Sequence, residues 1–148
     1  MTILRCRRLD GQRCRAGTCD DPGMDMSLRF EIFPEDLDAV VEFYVRVLGF
    51  QVTKDERDDP EAYVAMQRGS VRVGALQREL SGSPLDRCPP TGVELVLEVD
   101  EVAAERNRVV AAGWPLEQDL QLRPWGLTDF RILDPAGYYL RITDRASQ

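Results

Sequence analysis

Any chemistry in this chain has to proceed without histidine, because its 148 residues contain none. That removes the commonest general base and the commonest metal ligand together. Of the four cysteines, Cys6, Cys14 and Cys19 sit within the first 25 residues, separated by seven and four residues. That spacing lacks the paired pattern of a zinc site, and Cys88 stands far off in a proline-rich stretch. With no imidazole to activate it, Cys88 reads as a bystander rather than a nucleophile. What is left are carboxylates and guanidiniums at alternating positions. Arg29, Glu31 and Phe33 share one side of a strand pattern, and Glu94, Val96 and Glu98 share one side of another. Such groups can anchor a ligand, carboxylates accepting N–H or O–H donors and arginines gripping oxygen acceptors. They can equally pair with one another, since buried charges need partners whatever the function.

The elements that carry these residues come in two copies. Leu28, Phe30 and Ile32 alternate with Arg29, Glu31 and Phe33, the period of a half-buried strand. Pro34-Glu35-Asp36 turns the chain, Asp36 is placed to cap a helix, and Leu37, Val40, Val41, Tyr44, Val47 and Leu48 line its packing face. Gly49 stands where a left-handed residue ends a helix. Strands are expected over 51–55, 62–67 and 71–77, with turns at Asp58-Asp59-Pro60 and Arg68-Gly69. The order then repeats 64 residues on, Asp36 returning as Asp100, Gly49 as Gly113 and Phe50 as Trp114. Leu95, Leu97 and Val99 face a core, Asp100 caps a helix striped by Val102, Arg106, Val109 and Val110, and strands follow near 115–121, 128–133 and 138–143. Asp134-Pro135-Ala136-Gly137 is a strong turn signal.

The expected fold is therefore α+β: two βαβββ units, about 27–77 and 93–144, joined by a polar linker over 78–92, forming a curved mixed sheet around a cup. A unit of this size needs a partner to bury its sheet face, and the duplication makes a pocket. Residues 1–25 lack periodic apolar pattern and read as a disordered leader, or as sequence upstream of a start at Met24 or Met26. The domain proper is expected over 26–148.

Net charge is −7, so the phosphate-neutralising attraction behind non-specific nucleic-acid binding is missing. No apolar run reaches the roughly 18 residues of a membrane span, and the first residues lack the apolar region of a secretory signal. The expectation is a cytoplasmic protein with neither nucleic-acid nor membrane partners. The acidic loop over 55–61 reads as solvated surface.

The runs "EDLDAVVEFYVRVLGF" and "WGLTDFRILDPAGYYLRITD" resemble the vicinal oxygen chelate superfamily, which includes glyoxalase I, extradiol dioxygenases and bleomycin-resistance proteins. The resemblance covers about 26–144. It implies four ligand positions facing the cup in metal-dependent members, which fall here on Arg29, on Val73 or Gly74, on Glu94 and on Arg141. One carboxylate between two permanent cations is not a divalent-metal site, so no metal and no other cofactor is expected. The resemblance then implies the metal-free branch, in which a cup, often shared between the chains of a homodimer, binds a bulky small molecule.

On that reading the candidate ligand-binding residues are Arg29, Glu31, Phe33, Glu94, Glu98, Trp125, Tyr139 and Arg141, with no catalytic residue assigned. Trp125 falls where the resemblance puts a cup-rim residue and could stack on a planar ligand. Trp114 reads as core and Tyr44 as structural; Tyr63 and Phe130 are further wall candidates. The leading function is sequestration of an antibiotic-like compound, with drug resistance or self-protection as its purpose. Three others stay open: a metal-independent enzyme of natural-product tailoring using Glu31 or Glu94 as proton shuttle, a metal enzyme of the glyoxalase or dioxygenase type, and a pure interaction role.

Overall fold

A computed structural model describes residues 27–79 and 84–145; the leader expected over residues 1–25 lies outside them. The first unit runs β1 (Arg29–Ile32), α1 (Leu37–Glu42) continuing as a π-helical turn (Phe43–Val47), then β2 (Gln51–Glu56), β3 (Tyr63–Arg68) and β4 (Val71–Leu76). The second runs β5 (Leu95–Val99), α2 (Val102–Ala111), β6 (Gln118–Leu122), β7 (Thr128–Leu133) and β8 (Tyr139–Asp144). Each unit is βαβββ, and the sheet orders are β1-β4-β3-β2 and β5-β8-β7-β6. In both sheets the first strand runs parallel to the last and the remaining pairs are antiparallel. Among the described residues no helix is long and apolar enough to cross a membrane.

Local chemistry explains the helix ends. The Asp36 carboxylate accepts the Ala39 N–H at 2.9 Å, satisfying one of the orphan donors of the first turn of α1. Beyond it the Leu48 N–H reaches back five residues to the Phe43 carbonyl at 3.2 Å, the wide spacing of a π-turn. Gly49 closes this helix at φ +70° and Gly113 closes α2 at φ +76°, a conformation that costs a side-chain-bearing residue.

One core joins the two units. Ile32, Val64, Met66, Val73 and Ala75 from the first sheet and Phe130, Ile132, Leu140 and Ile142 from the second belong to it, with the α1 stripe. Phe43 packs on Trp114 with ring centres 4.6 Å apart, and the Trp114 indole N–H donates to the Leu133 carbonyl at 2.8 Å. Arg46 donates to the Ala112 carbonyl at 3.0 Å, and Arg68 reaches Glu105 of α2. From the linker, Arg87 donates to the Ala136 carbonyl and lies over the Tyr138 ring, 4.2 Å from its centre.

Several expectations are corrected. Asp100 does not cap α2: the N-cap position belongs to Glu101, whose side chain makes no capping bond. Asp100 sits one residue too early and pairs with Arg145 at 3.0 Å instead. The buried stripe of α2 is Val102, Glu105 and Val109, while Val110 is exposed and Arg106 turns outward to Asp119. A carboxylate can be buried there because Arg68 comes across from the other unit to meet it. Phe130 is core, not cup wall. Phe33 lies just past the end of β1, where the following proline restricts its backbone. Its N–H donates to the Tyr138 hydroxyl at 3.3 Å and its ring faces Arg78.

Candidate functional site

Because each sheet gives one face to the shared core, alternation sends the other face away from it. In the second sheet the register pairs Arg131 with Arg141, Asp129 with Thr143 and Val96 with Arg141, while the core residues Phe130 and Ile142 pair with one another. Asp129, Arg131 and Arg141 therefore share the outward face, with Glu94 at the entrance of β5 and Tyr139 at the start of β8.

Asp129 is the centre of this face and is fully buried. Arg123 donates to its Oδ1 through Nε at 2.8 Å and lies 2.6 Å from it through Nη2. Arg123 also donates to Gln121 and Gln118, each at 2.9 Å, so all three nitrogens of this guanidinium are engaged. Arg141 Nε lies 2.9 Å from Asp129 Oδ2, close enough for an ion pair but without the alignment of a hydrogen bond. Arg131 Nε is 3.8 Å from the same carboxylate, and its Nη1 donates to the Tyr139 hydroxyl at 3.4 Å. Glu94 sits between the two arginines, 3.6 Å from Arg141 and 3.9 Å from Arg131. Both separations exceed hydrogen-bond length. Burial works against the Arg131 charge, and its contacts with Tyr139, Asp129 and Glu94 outweigh that, holding the guanidinium above its ordinary value. Flat aromatic surfaces flank the cluster. The Arg141 guanidinium lies 5.2 Å from the centre of the Trp125 ring, and Arg131 lies 5.7 Å from that of Tyr139. Trp125 is 57% exposed and Val96 is 43% exposed, so the wall is open to an incoming molecule.

The first sheet carries a smaller pair. Arg29 Nε is 2.7 Å from Glu31 Oε1, and Glu31 lies directly over Gly74, its register partner on β4. Any Cβ at position 74 would overlap the Glu31 carboxylate. Parity thus assigns the ambiguous family position to Gly74, since Val73 is core. Tyr63 shares this face, with Lys54 over its ring.

Of the expected residues, Glu94, Trp125, Tyr139 and Arg141 come together. Arg29 and Glu31 form their own pair on the other sheet. Glu98 lies on the same face as Glu94, exposed, beside a second cleft lined by Arg68, Glu105 and Arg145. A cleft of about 370 Å³ runs between the two units, lined by Phe30, Glu31, Ile32, Val93, Leu95 and Tyr139. Glu31 stands in it and Tyr139 leads from it to the arginine cluster. Asp129, Arg131 and Arg123 were missed by sequence reasoning. A signal existed for two of them: in "TDFRIL", Phe130 and Ile132 alternate with Asp129 and Arg131.

The four positions that the family resemblance assigns to metal ligation hold Arg29, Gly74, Glu94 and Arg141. They offer one carboxylate, no imidazole and two guanidiniums that cannot ligate, so this donor set does not fit a divalent cation. Among the described residues no group of three or more His, Cys, Asp or Glu is placed to hold a metal ion.

Comparison with known proteins gives the same architecture. The family model for the Glyoxalase/Bleomycin resistance protein/Dioxygenase superfamily matches residues 27–142. The bleomycin resistance determinant encoded on the transposon Tn5 superposes with a TM-score of 0.68 at 21% identity, covering 83% of this chain and 100% of that one. TioX from Micromonospora sp. ML1 gives 0.67 at 22% identity, covering 82% and 100%. Lactoylglutathione lyase from Agrobacterium tumefaciens gives 0.61 at 22% identity, covering 83% and 95%. At such identities the likeness carries the fold and nothing finer. Among curated proteins, none matches the chain.

Proposed function

The chain belongs to the Glyoxalase/Bleomycin resistance protein/Dioxygenase superfamily, and from that premise we propose that it is a metal-independent small-molecule-binding protein. It holds a bulky, largely aromatic compound against the outward face of the second sheet and keeps it from its target. Drug sequestration or self-protection in the cytoplasm, as a homodimer, completes the reading.

One observation carries it: at the family's ligand positions Glu94 and Arg141 stand where a cation would need donors, and Arg131, Asp129 and Trp125 surround them. Guanidinium and carboxylate groups beside exposed aromatic surface orient a ligand without transforming it. The fold-level likeness to a bleomycin resistance determinant agrees with this reading.

The test is calorimetric titration of the purified chain with bleomycin and with planar quinone antibiotics, repeated in EDTA. One compound is expected to bind once per chain, unaffected by the chelator, and to be recovered chemically unchanged. Zinc, nickel or iron copurifying at one ion per chain and required for binding would overturn the reading. Light scattering checks the dimer.

A second reading has one feature in its favour. Glu31 Oε1 is buried, ion-paired with Arg29 at 2.7 Å but without an aligned hydrogen bond, and Glu31 stands in the cleft between the units, as a proton shuttle would. Turnover that persists in EDTA and vanishes in Glu31→Gln while binding survives would select this enzyme reading.

A further inference from the structure

We infer that the compound held on the second sheet is a planar aromatic acid, its anionic group received by Arg131 and Arg141 and its ring laid against Trp125. This rests on the binding reading above and adds the charge of the ligand to it.

Arg123 has used its fork on Asp129, Gln118 and Gln121. Arg131 and Arg141 have not. For Arg131 the only aligned acceptor is the Tyr139 hydroxyl at 3.4 Å, and for Arg141 there is no aligned acceptor at all among the described residues. Both Nε groups are turned to Asp129, at 3.8 Å for Arg131 and 2.9 Å for Arg141, without hydrogen-bond alignment, and Glu94, placed between the outer ends of the two forks, stays beyond hydrogen-bond reach of both. Two mostly buried guanidiniums, with side chains 17% and 15% exposed, thus turn Nη groups toward Glu94 with no hydrogen bond between them. Three guanidiniums face two carboxylates here, Asp129 and Glu94, and an oxyanion that reaches the outer Nη groups meets the remaining positive charge with charge-assisted hydrogen bonds. A carboxylate matches the planar fork, and a phenolate or quinone oxygen is the weaker relative of the same acceptor class.

Other charges face the same spot and limit the choice. Glu94 repels an anion that takes its place between the arginines, and Glu98, exposed and four residues further along β5, adds a weaker repulsion. Glu94 is the internal stand-in for the ligand's acid: it neutralises the forks loosely, at distances that a better-placed oxyanion would shorten. That assignment gives the inference a sign that a cation-binding site would reverse. If Glu94 were the anchor, removing its charge would weaken binding. If the arginines are the anchor, removing it strengthens binding.

The probes are anthraquinone-2-carboxylate, its neutral carboxamide and the cationic 2-aminomethyl-anthraquinone, titrated calorimetrically into the full chain. The carboxylate is expected to bind at least about tenfold more tightly than the carboxamide, a gap of about 1.4 kcal/mol. That gap is expected to close in Arg131→Gln and Arg141→Gln and to narrow at high salt. Glu94→Gln is expected to tighten the carboxylate several-fold and to widen the gap between carboxylate and carboxamide. Circular dichroism confirms that each variant is folded, and the wild-type series stands without any variant. A carboxamide that matches the carboxylate, a cation that wins, or a Glu94→Gln that weakens the carboxylate overturns this inference alone. Failure of all three probes to bind the folded wild type at millimolar concentration overturns it together with the binding reading.

Discussion

Tyr44 donates its hydroxyl hydrogen to an Asp134 carboxylate oxygen at 3.2 Å, tying the helix of the first unit to the last hairpin of the second across 90 residues of chain. Both side chains are buried. Asp134 also accepts the Ala136 N–H at 3.0 Å and the Tyr138 N–H at 2.8 Å, so one carboxylate shapes the "DPAG" turn and docks it on the helix. Burial pushes the Asp134 carboxyl up from 3.8 to about 6, against the downward pull of these hydrogen bonds and of Arg87. Burial, helped by Asp134, also pushes the Tyr44 hydroxyl well above 10.0.

The raised carboxyl predicts an unusual pH dependence. Between about pH 4 and pH 6 the folded chain keeps a proton that the unfolded chain has released. This contribution is complete below about pH 4 and lost as pH rises through about 6, the reverse of a salt-bridged carboxylate. Moving a carboxyl from 3.8 to about 6 corresponds to about 3 kcal/mol. Asp119, drawn down to about 2 by its hydrogen bond to Arg106, acts in the ordinary sense and is common to wild type and variant. The measurement is therefore a difference: urea unfolding of wild type against Asp134→Asn at pH 4.5 and 7.5. Wild type is expected to lose about 1–3 kcal/mol relative to the variant as pH rises. Parallel behaviour of the two would mean that Asp134 is ionised throughout.

Arg68 makes the other strong link between the units. It holds Glu105 of α2 through two bonds, at 2.5 and 2.8 Å, and donates to the Leu48 carbonyl at 2.6 Å. The Glu105 side chain is 8% exposed, so deleting the arginine strands a carboxylate away from water. Arg68→Ala is expected to cost about 2–3 kcal/mol, at or below the low end for a fully buried pair because Arg68 itself is partly exposed. Glu105→Gln, which keeps the shape and removes the charge, is expected to cost about half as much. Equal small losses in both variants, read from chemical denaturation, would show that the pair contributes little.

How much of this was legible follows from the range of each interaction. The α1 stripe, the Asp36 cap, the glycine stops and the strand order rest on contacts a few residues apart, and local pattern reports those directly. Asp129 and Arg131 were legible in principle, because their alternation with Phe130 and Ile132 fixes their face; taking Phe130 for a wall residue hid it. Arg123 was not legible, since its role depends on a loop folding back onto β7. Glu105 was not legible either. Helical spacing offers Glu105 and Arg106 as neighbours on α2, and only Arg68, 37 residues earlier, decides that the acid goes inward.

Gly74 and Glu31 give a coupled prediction. A Cβ at 74 would meet the Glu31 carboxylate, whose Oε1 is buried beside Arg29. With Glu31 present, Gly74→Ala must displace that carboxylate and is expected to destabilise by about 1 kcal/mol. In a Glu31→Ala background the same change no longer meets the carboxylate and is expected to stabilise by about 0.5 kcal/mol, through the reduced freedom of the unfolded chain. The double-mutant cycle should thus show a coupling of about 1–2 kcal/mol. A cycle that closes to zero would mean that Glu31 swings away freely.

The two tryptophans separate stability from binding. Trp114 packs on Phe43 and donates to the Leu133 carbonyl, whereas Trp125 is 57% exposed and touches the Arg141 guanidinium. Trp114→Ala is expected to cost about 3 kcal/mol through the lost ring packing. Trp125→Ala is expected to change stability by less than about 0.5 kcal/mol, as surface substitutions do. Stacking of a planar ligand on Trp125 would quench its fluorescence, so anthraquinone-2-carboxylate is expected to dim wild type and Trp114→Phe but not Trp125→Phe. Its affinity for Trp125→Ala should fall about tenfold, the worth of one aromatic stack of about 1–1.5 kcal/mol. Quenching that follows Trp114 instead would move the bound ring off this face and into the core between the units.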